Sequence, residues 1–119
     1  MRELNIGTKK YTKVDVVDEP GAGGANHVYD VWTPNTPNAH AVLLRVCFQD
    51  GPIKENGVNG VMNEDLIAIV IDRMRGFQSG DFKCRENALA LTKLEEALMW
   101  LRKRTDDREA RGVEGTSVL

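Results

Sequence analysis

Hydrophobic and polar residues alternate in the first half of the chain, which is the pattern of β-strands. The alternation, together with many valine and aromatic residues, predicts strands over residues 13–17, 28–32 and 41–48. Glycine-, proline- and asparagine-rich turns over residues 19–24 and 33–38 separate these strands. Because the connections are too short for helical crossovers, we expect a small antiparallel meander.

The spacing of the apolar residues changes after residue 62. They now recur at intervals of four, four and three, at Leu66, Val70, Met74 and Phe77. This spacing predicts an amphipathic helix over residues 63–77, with Asn63 as its N-cap. The short connection over residues 78–81 makes the next helix fold back antiparallel to the first.

The second predicted helix carries the strongest local signal of the chain. Its apolar stripe consists of Cys84, Ala88, Leu91, Leu94, Leu98 and Leu101. Good helix formers dominate this segment, with no glycine or proline from Phe82 to Arg111, and Gly112 and Gly115 mark its end. The sequence therefore predicts a single domain of the α+β class, in which a sheet part (residues 1–62) precedes a helical hairpin (63–112) and a tail (113–119).

Composition and charge narrow the possible functions. The hydrophobic fraction is 41% and the charged fraction 29%, which is typical of a soluble globular protein, and the N-terminus lacks the apolar core of a signal peptide. We therefore expect a cytoplasmic protein. A formal net charge of −2 argues against general binding to DNA or RNA. Five basic residues between Arg102 and Arg111 give a local positive charge that suits a small anion.

The chain lacks the residue sets that catalysis and metal binding require. Its histidines are His27 and His40, and no nucleophile motif or carboxylate cluster accompanies them. His27 has the chemistry of a general base, but without partners on a predicted strand we interpret it as structural. Cys47 and Cys84 lack metal-ligand spacing, so we expect two reduced core thiols. We predict a protein that is not an enzyme and that needs no metal or cofactor.

The glycine-rich segment over residues 51–60 allows two interpretations. Backbone amides before a helix N-terminus can cradle a phosphate, although the segment lacks the Gly-Lys-Ser/Thr of a P-loop. The alternative, which we favour, is a strand-to-helix connection at a subunit contact.

Several short blocks of the sequence resemble a family of phage proteins. They are GPIKENGVNG (51–60), NEDLI (63–67), GFQSG (76–80), CRENAL (84–89), TKLEEA (92–97) and RKRT (102–105). The family is that of the Thoeris anti-defence sponges of the first type, whose helical hairpin is shared with the anti-CBASS sponges of phages. The similarity covers residues 26–117 and is densest over residues 51–116.

The resemblance implies a function. Thoeris TIR-domain proteins answer infection by making cyclic ADP-ribose isomers, and sponges of this family sequester these messengers intact. The chain is accordingly expected to bind glycocyclic ADP-ribose in the cytoplasm of the infected bacterial host. The resemblance also implies a homo-oligomer, at least a dimer and by family a hexamer, and a separate site in some members for cyclic di- or trinucleotides.

The resemblance further implies four ligand-binding residues, which are Phe77, Asn87, Arg104 and Arg108. An aromatic ring can stack on adenine, and a carboxamide can pair with a base edge or ribose hydroxyls. Arg104 and Arg108 share a helix face and can fork onto phosphate oxygens. On the sequence alone, Phe77 also fits the core, and the two arginines also fit a solvated helix face.

Helix geometry adds a constraint to this assignment. Asn87 and Arg104 are 17 positions apart in one predicted helix, which is roughly 25 Å. Because a compact dinucleotide cannot bridge that distance, one ligand would contact Phe77 and Asn87 of one subunit and the arginines of another. The alternative function is a non-catalytic interaction module whose hairpin docks onto a host protein.

Overall fold

The computed structural model describes residues 1–34 and 41–119. These residues form two compact units, Met1–Val61 and Met62–Leu119. The first unit contains the sheet and the second the helical hairpin, so the predicted α+β class is confirmed. The boundary between the units along the chain falls beside residue 62, where the sheet part was predicted to end, and the single domain stays a prediction.

Four antiparallel strands form the sheet, in the order β1 to β4. They are β1 (Arg2–Glu3), β2 (Lys13–Val16), β3 (Val28–Thr33) and β4 (Ala41–Cys47). The last three confirm the predicted strands to within one residue at each end. Strand β1 was not predicted, because two polar residues carry no periodic signal. Most of the turn predicted over residues 33–38, and His40, lie outside the described residues.

One face of the sheet supplies the small apolar core of the first unit. Val16, Tyr29 and Val46 lie opposite one another on neighbouring strands, and the two valines are 1% and 8% exposed. Phe48 packs edge-on against Tyr29, with ring centroids 5.8 Å apart. These cross-strand contacts are the unit from which sheets gain stability.

An ion pair links β3 and β4 next to the pair Tyr29 and Val46. Asp30 of β3 lies opposite Arg45 of β4. The guanidinium donates two hydrogen bonds to the Asp30 carboxylate, at 2.7 and 2.8 Å. These hydrogen bonds, outweighing the effect of burial, lower the pKa of Asp30.

The segment after β4 returns to the sheet through a short helix, α1 (Ile53–Asn56). Val61 closes the return, since its N–H donates to the Cys47 carbonyl and its carbonyl accepts from the Gln49 N–H. Gly60 permits this closure, because a Cβ there would lie only 2.4 Å from the Phe48 carbonyl carbon.

The hairpin begins with α2 (Asn63–Gln78). The prediction that Asn63 is the N-cap is wrong by one residue, because Met62 holds that position and its N–H donates to the Asp65 carboxylate at 2.9 Å. Leu66, Met74 and Phe77 of the predicted apolar stripe are half-buried, but its fourth residue is exposed. Ile71 is the buried residue, at 4% exposed, whereas Val70 is 42% exposed.

Helix α3 (Arg85–Ala110) forms the second arm, with Cys84 as its N-cap. Its half-buried residues recur at intervals of four and three: Asn87, Leu91, Leu94, Leu98, Leu101, Thr105 and Arg108. Cys84 and Ala88, which were predicted to start this stripe, are exposed. The inward face therefore begins at Asn87 and ends at Arg108, so two polar candidate site residues lie at its ends.

The two helices pack against each other. Arg75 of α2 and Glu95 of α3 form a salt bridge of 2.8 Å across them. The Gln78 carboxamide pins the connection, since it donates to the Cys84 carbonyl and accepts from the Cys84 N–H. Within the described part of the chain, neither arm nor any other helix has the length and apolar character needed to cross a bilayer.

Candidate functional site

An open groove of about 550 Å³ lies along the last turns of α3. Its lining consists of Trp100, Lys103, Arg104, Asp107, Arg108, Arg111 and Leu119. Trp100, Arg104 and Arg108 follow one another at intervals of four, so they share one helix face. The groove therefore combines an aromatic ring with several cations, which is the composition expected for an anionic aromatic ligand.

Most of the cations in the groove already have partners. Lys103 donates to Asp107 at 2.8 Å, and this hydrogen bond together with the aspartate charge raises the pKa of Lys103. Arg111 donates to the Leu119 carbonyl at 2.6 Å. Arg104 is exposed and has no hydrogen bond or ion pair with any described residue. Its guanidinium is thus the one in the described groove that is open to an incoming phosphate.

Arg104 and Arg108 line the same groove but differ in exposure and in hydrogen bonding. The Arg108 side chain is 12% exposed, and its guanidinium donates to the tail. The fork of two guanidiniums expected from the spacing therefore has only one free member here. The spacing of four residues correctly predicted that Arg104 and Arg108 share a helix face. It could not predict that the chain after α3 folds back and binds the Arg108 guanidinium.

Trp100 does not belong to the apolar stripe that the sequence predicts for the second helix, and a large aromatic residue off that stripe predicts burial at a subunit interface. In the structure it is 57% exposed and lines the groove one turn before Arg104. The sequence analysis did not predict the groove. The four-residue spacing from Trp100 to Arg104 was the signal that could have revealed the pair.

Phe77 and Asn87 lie on the two sides of the helix connection, and both are half-buried. The Arg73 guanidinium lies over the Phe77 ring, 5.1 Å from its centroid. The Asn87 N–H donates to the Cys84 sulfur at 3.4 Å, while its carboxamide has no partner among the described residues. The Asn87 side chain thus keeps its donors and acceptors free.

The structure does not unite the two pairs of candidate residues within one chain. Asn87 and Arg104 lie in the same unbroken helix, Arg85–Ala110, so their separation remains roughly 25 Å. Phe77 and Asn87 flank the connection, and Arg104 and Arg108 line the groove near the other end of α3. Within one chain the four candidate residues therefore form two separate pairs.

The glycine-rich segment has the character of a connection. The Gln49 carboxamide donates to the Gly57 carbonyl and accepts from the Asn59 N–H, and the Asn59 carboxamide pairs with the backbone of Asp50. The N–H groups of Glu55, Asn56 and Gly57 donate to carbonyls at the start of α1. These bonds are those of a connection between β4 and α2, and whether the segment also binds a phosphate stays a prediction.

The structure places three residues in surroundings other than those expected from the sequence. Cys47 and Cys84 are free, but both are exposed, so the expected core location is wrong. His27 precedes β3 and has partners, since Nε2 donates to the Ala22 carbonyl and lies 3.5 Å from the Asp50 carboxylate. Among residues 1–34 and 41–119, no three His, Cys, Asp or Glu side chains are placed to hold a metal ion.

Comparison with known proteins gives two findings. A family model described as the Acb2/Tad1 hairpin domain matches residues 40–106, more than half of the chain. The chain is also 69% identical over 74 residues to a protein of Bacillus phage SBSphiJ7 named Thoeris anti-defense 1. That match covers 62% of this chain and 52% of the relative, so the chain spans about half the length of the curated relative. Phe77, Asn87 and Arg104 lie inside the family match, and Arg108 lies beyond it.

Proposed function

The chain belongs to the Acb2/Tad1 hairpin domain family, and from this premise we propose that it binds and sequesters cyclic ADP-ribose-type nucleotides without degrading them. The resemblance noted in the sequence is thus confirmed at the level of the family. In this proposal the chain is a phage anti-defence protein, and its ligand is the glycocyclic ADP-ribose made by Thoeris TIR proteins. Removal of that messenger blocks the host's immune signal.

The unpartnered guanidinium of Arg104 beside the exposed Trp100 is the observation that carries this proposal. A cyclic ADP-ribose presents a pyrophosphate and an adenine face. Guanidinium groups form charge-assisted hydrogen bonds with phosphate oxygens, and indole rings stack on bases. Binding of this kind needs complementarity only, so the proposal includes no catalytic residue.

The second half of the proposed site comes from another copy of the chain. Phe77 and Asn87 of one subunit supply the stacking ring and the carboxamide, and Arg104 of a neighbour supplies the phosphate contact. The exposed apolar residues of the hairpin support association of copies: Ile69, Leu89 and Met99 are 64%, 47% and 55% exposed. We therefore propose a homo-oligomer that is at least a dimer and, by family resemblance, a hexamer.

The test of this proposal is ligand recovery. The purified protein is incubated with glycocyclic ADP-ribose, separated from free ligand, heated, and the released material is identified by mass spectrometry. We expect depletion of the messenger from solution and release of the unaltered compound on heating. Release of a chemically altered compound would show that the protein catalyses a reaction and would contradict sequestration.

The substitution Asn87→Trp tests the residue assignment. The indole fills the space of the free carboxamide, so we expect loss of uptake by at least about 100-fold, with the oligomer intact on a sizing column. Thr92→Trp is the matched control, because Thr92 is an exposed polar residue of the same helix. Continued depletion of the messenger by Asn87→Trp would place the pocket elsewhere.

A second candidate function is docking of the hairpin onto a host protein. The exposed Ile69 and Leu89 favour it, because apolar surface of this kind also marks protein interfaces. The two candidates differ in the recovery experiment, where an interaction module takes up no nucleotide. A separate site for cyclic di- or trinucleotides stays a prediction of the family resemblance without assigned residues.

A further inference from the structure

The tail, residues 113–119, folds back along the end of α3. Gly112 and Gly115 make the reversal possible, with φ angles of 73° and 79° in the left-handed region that favours glycine. The Val113 N–H then donates to the Arg108 carbonyl at 3.0 Å, and the Thr116 N–H donates to the Val113 carbonyl at 3.2 Å. The tail is therefore an ordered turn beside the last helical turns.

The Arg108 side chain holds this turn. Its Nη2 donates to the carbonyls of Val113 and Thr116 at 3.0 and 3.1 Å. Its Nη1 donates to the Val118 carbonyl at 2.7 Å, and its Nε donates to the Glu114 carboxylate at 3.2 Å. A guanidinium has five N–H donors, so these four bonds commit most of its capacity to the tail.

The tail in turn forms one side of the groove. Leu119 lines the groove together with Trp100 and Arg104. Without the contacts to Arg108, residues 113–119 would lose most of the bonds that hold them beside α3. Arg108 therefore affects the shape of the groove around Arg104 indirectly, because it holds the tail that forms one side of the groove.

We propose that Arg108 is a positioning residue: it holds the tail as a wall of the groove, and Arg104 contacts the ligand. This inference rests on the proposed function, because it concerns the affinity of the same groove. A direct phosphate contact by Arg108 would require its guanidinium to release the four bonds to the tail. The two roles therefore respond in opposite ways when the tail is loosened and Arg108 is kept.

A double-mutant cycle in the full chain distinguishes the roles. Gly115→Val loosens the tail without changing any charge, because valine does not favour the left-handed backbone of Gly115. We expect Gly115→Val and Arg108→Ala each to weaken binding of glycocyclic ADP-ribose about tenfold, and the double variant to be no weaker than either single variant. If Arg108 contacted phosphate, Gly115→Val would leave binding unchanged or tighten it, and the double variant would lose affinity.

Two further measurements separate positioning from charge. Arg108→Lys keeps the positive charge but cannot reach the several tail acceptors at once, so we expect the same loss as with alanine. Amide hydrogen exchange of the ligand-free protein should speed up at Val113 and Thr116 in both Arg108 variants. Rescue of binding by lysine, or unchanged exchange in Arg108→Ala, would overturn the proposal.

The controls keep this proposal apart from the proposed function. Gly7→Val introduces similar strain at another left-handed glycine, with φ 101° and open space around it, and should bind as the unaltered chain does. If the unaltered chain takes up no cyclic ADP-ribose, both proposals fall. If it binds, and Gly115→Val binds equally well while its tail amides exchange faster, only the role of the tail is overturned.

Discussion

The two units differ in the polar side chains that the candidate site can use. In the sheet unit, the side chains of Asp18 and Gln49 bind the chain's own backbone. In the hairpin unit Arg108 does the same, but the Asn87 carboxamide and the Arg104 guanidinium have no partner among the described residues. Buried polar groups are hydrogen-bonded within a fold, whereas a side chain without a partner there is available to a ligand. The two candidate residues available in this sense both lie on the hairpin.

The apolar side chains do not separate the two units in this way. The sheet unit buries Val16 but leaves Leu43 59% exposed, and the described hairpin buries Ile71 and leaves Met99 and Trp100 more than half exposed. Burial of exposed apolar surface stabilises association. We therefore expect the ligand contacts from the hairpin, whereas both units offer apolar surface for contacts between copies.

The largest expected effect concerns the glycines of the two units. In Gly60→Ala the added methyl would lie 2.4 to 2.5 Å from backbone atoms of Cys47 and Phe48, which cannot move without disturbing the sheet. We expect a loss of about 3 kcal/mol in the free energy of unfolding of the sheet unit. Urea unfolding followed by Trp32 fluorescence in a Trp100→Phe background measures it.

The hairpin offers the matched control, Gly76→Ala. Gly76 lies inside α2, and a Cβ there meets nothing within 4 Å. Alanine should therefore stabilise the helix by about 0.5–1 kcal/mol, the opposite sign to Gly60→Ala. Equal changes in the free energy of unfolding at the two positions would mean that the backbone close to Gly60 does not exclude a methyl group there.

The next effect concerns ligand binding. Arg104→Glu replaces the free guanidinium of the groove with a charge that repels phosphate, so we expect affinity for glycocyclic ADP-ribose to fall about 100-fold, or about 2.7 kcal/mol. Lys83→Glu makes the same charge change at an exposed position before α3 and should cost no more than about threefold. Isothermal titration calorimetry compares the two, and equal losses would reduce the effect to overall charge.

The periodic elements could be predicted from the sequence, and the contacts between distant segments could not. Alternation in residues 28–32 and the continuous helix-forming run of α3 are local properties, so they predicted β3 and α3 closely. The sequence did not reveal that Gly60 allows residues 60–61 to return against β4, because that requirement arises from a distant strand. The shift from Val70 to Ile71 has a similar cause, since packing partners determine which side of a broad apolar stripe is buried.

The candidate site was predictable to the same extent. The spacing of Arg104 and Arg108 predicted a shared helix face, and both line one groove. The sequence predicted that Asn87 and Arg104 lie far apart in one helix, and the unbroken helix Arg85–Ala110 confirms this separation, whereas a site shared between subunits stays a prediction. The bonds from Arg108 to the tail were not predictable, because they depend on the reversal of the chain at Gly112.

The smallest expected effect concerns the acid stability of the sheet unit. The hydrogen bonds from Arg45 lower the pKa of Asp30. Burial raises the pKa of Asp18, but hydrogen bonds from the N–H groups of His27 and Val28 outweigh it, so the net shift is also downward. A lowered pKa in the folded state gives stability that is complete above the unfolded value of about 3.9 and is lost as the pH falls through the folded value.

Asp30→Asn should therefore be less stable than the unaltered chain at pH 7, because it loses the ion pair with Arg45. The difference between the two proteins should shrink as the pH falls below about 4, because the unfolded chain then binds a proton on Asp30 that the folded chain, with its lowered pKa, binds only at lower pH. Urea midpoints at pH 7 and pH 3, followed by Trp32 fluorescence in the Trp100→Phe background, measure both differences.

Glu19→Gln is the control, since Glu19 is an exposed acid of the same unit with no hydrogen bond to a described residue. A stability difference for Asp30→Asn that is equal at both pH values would show that the pair stabilises the sheet by its shape and not by its charge.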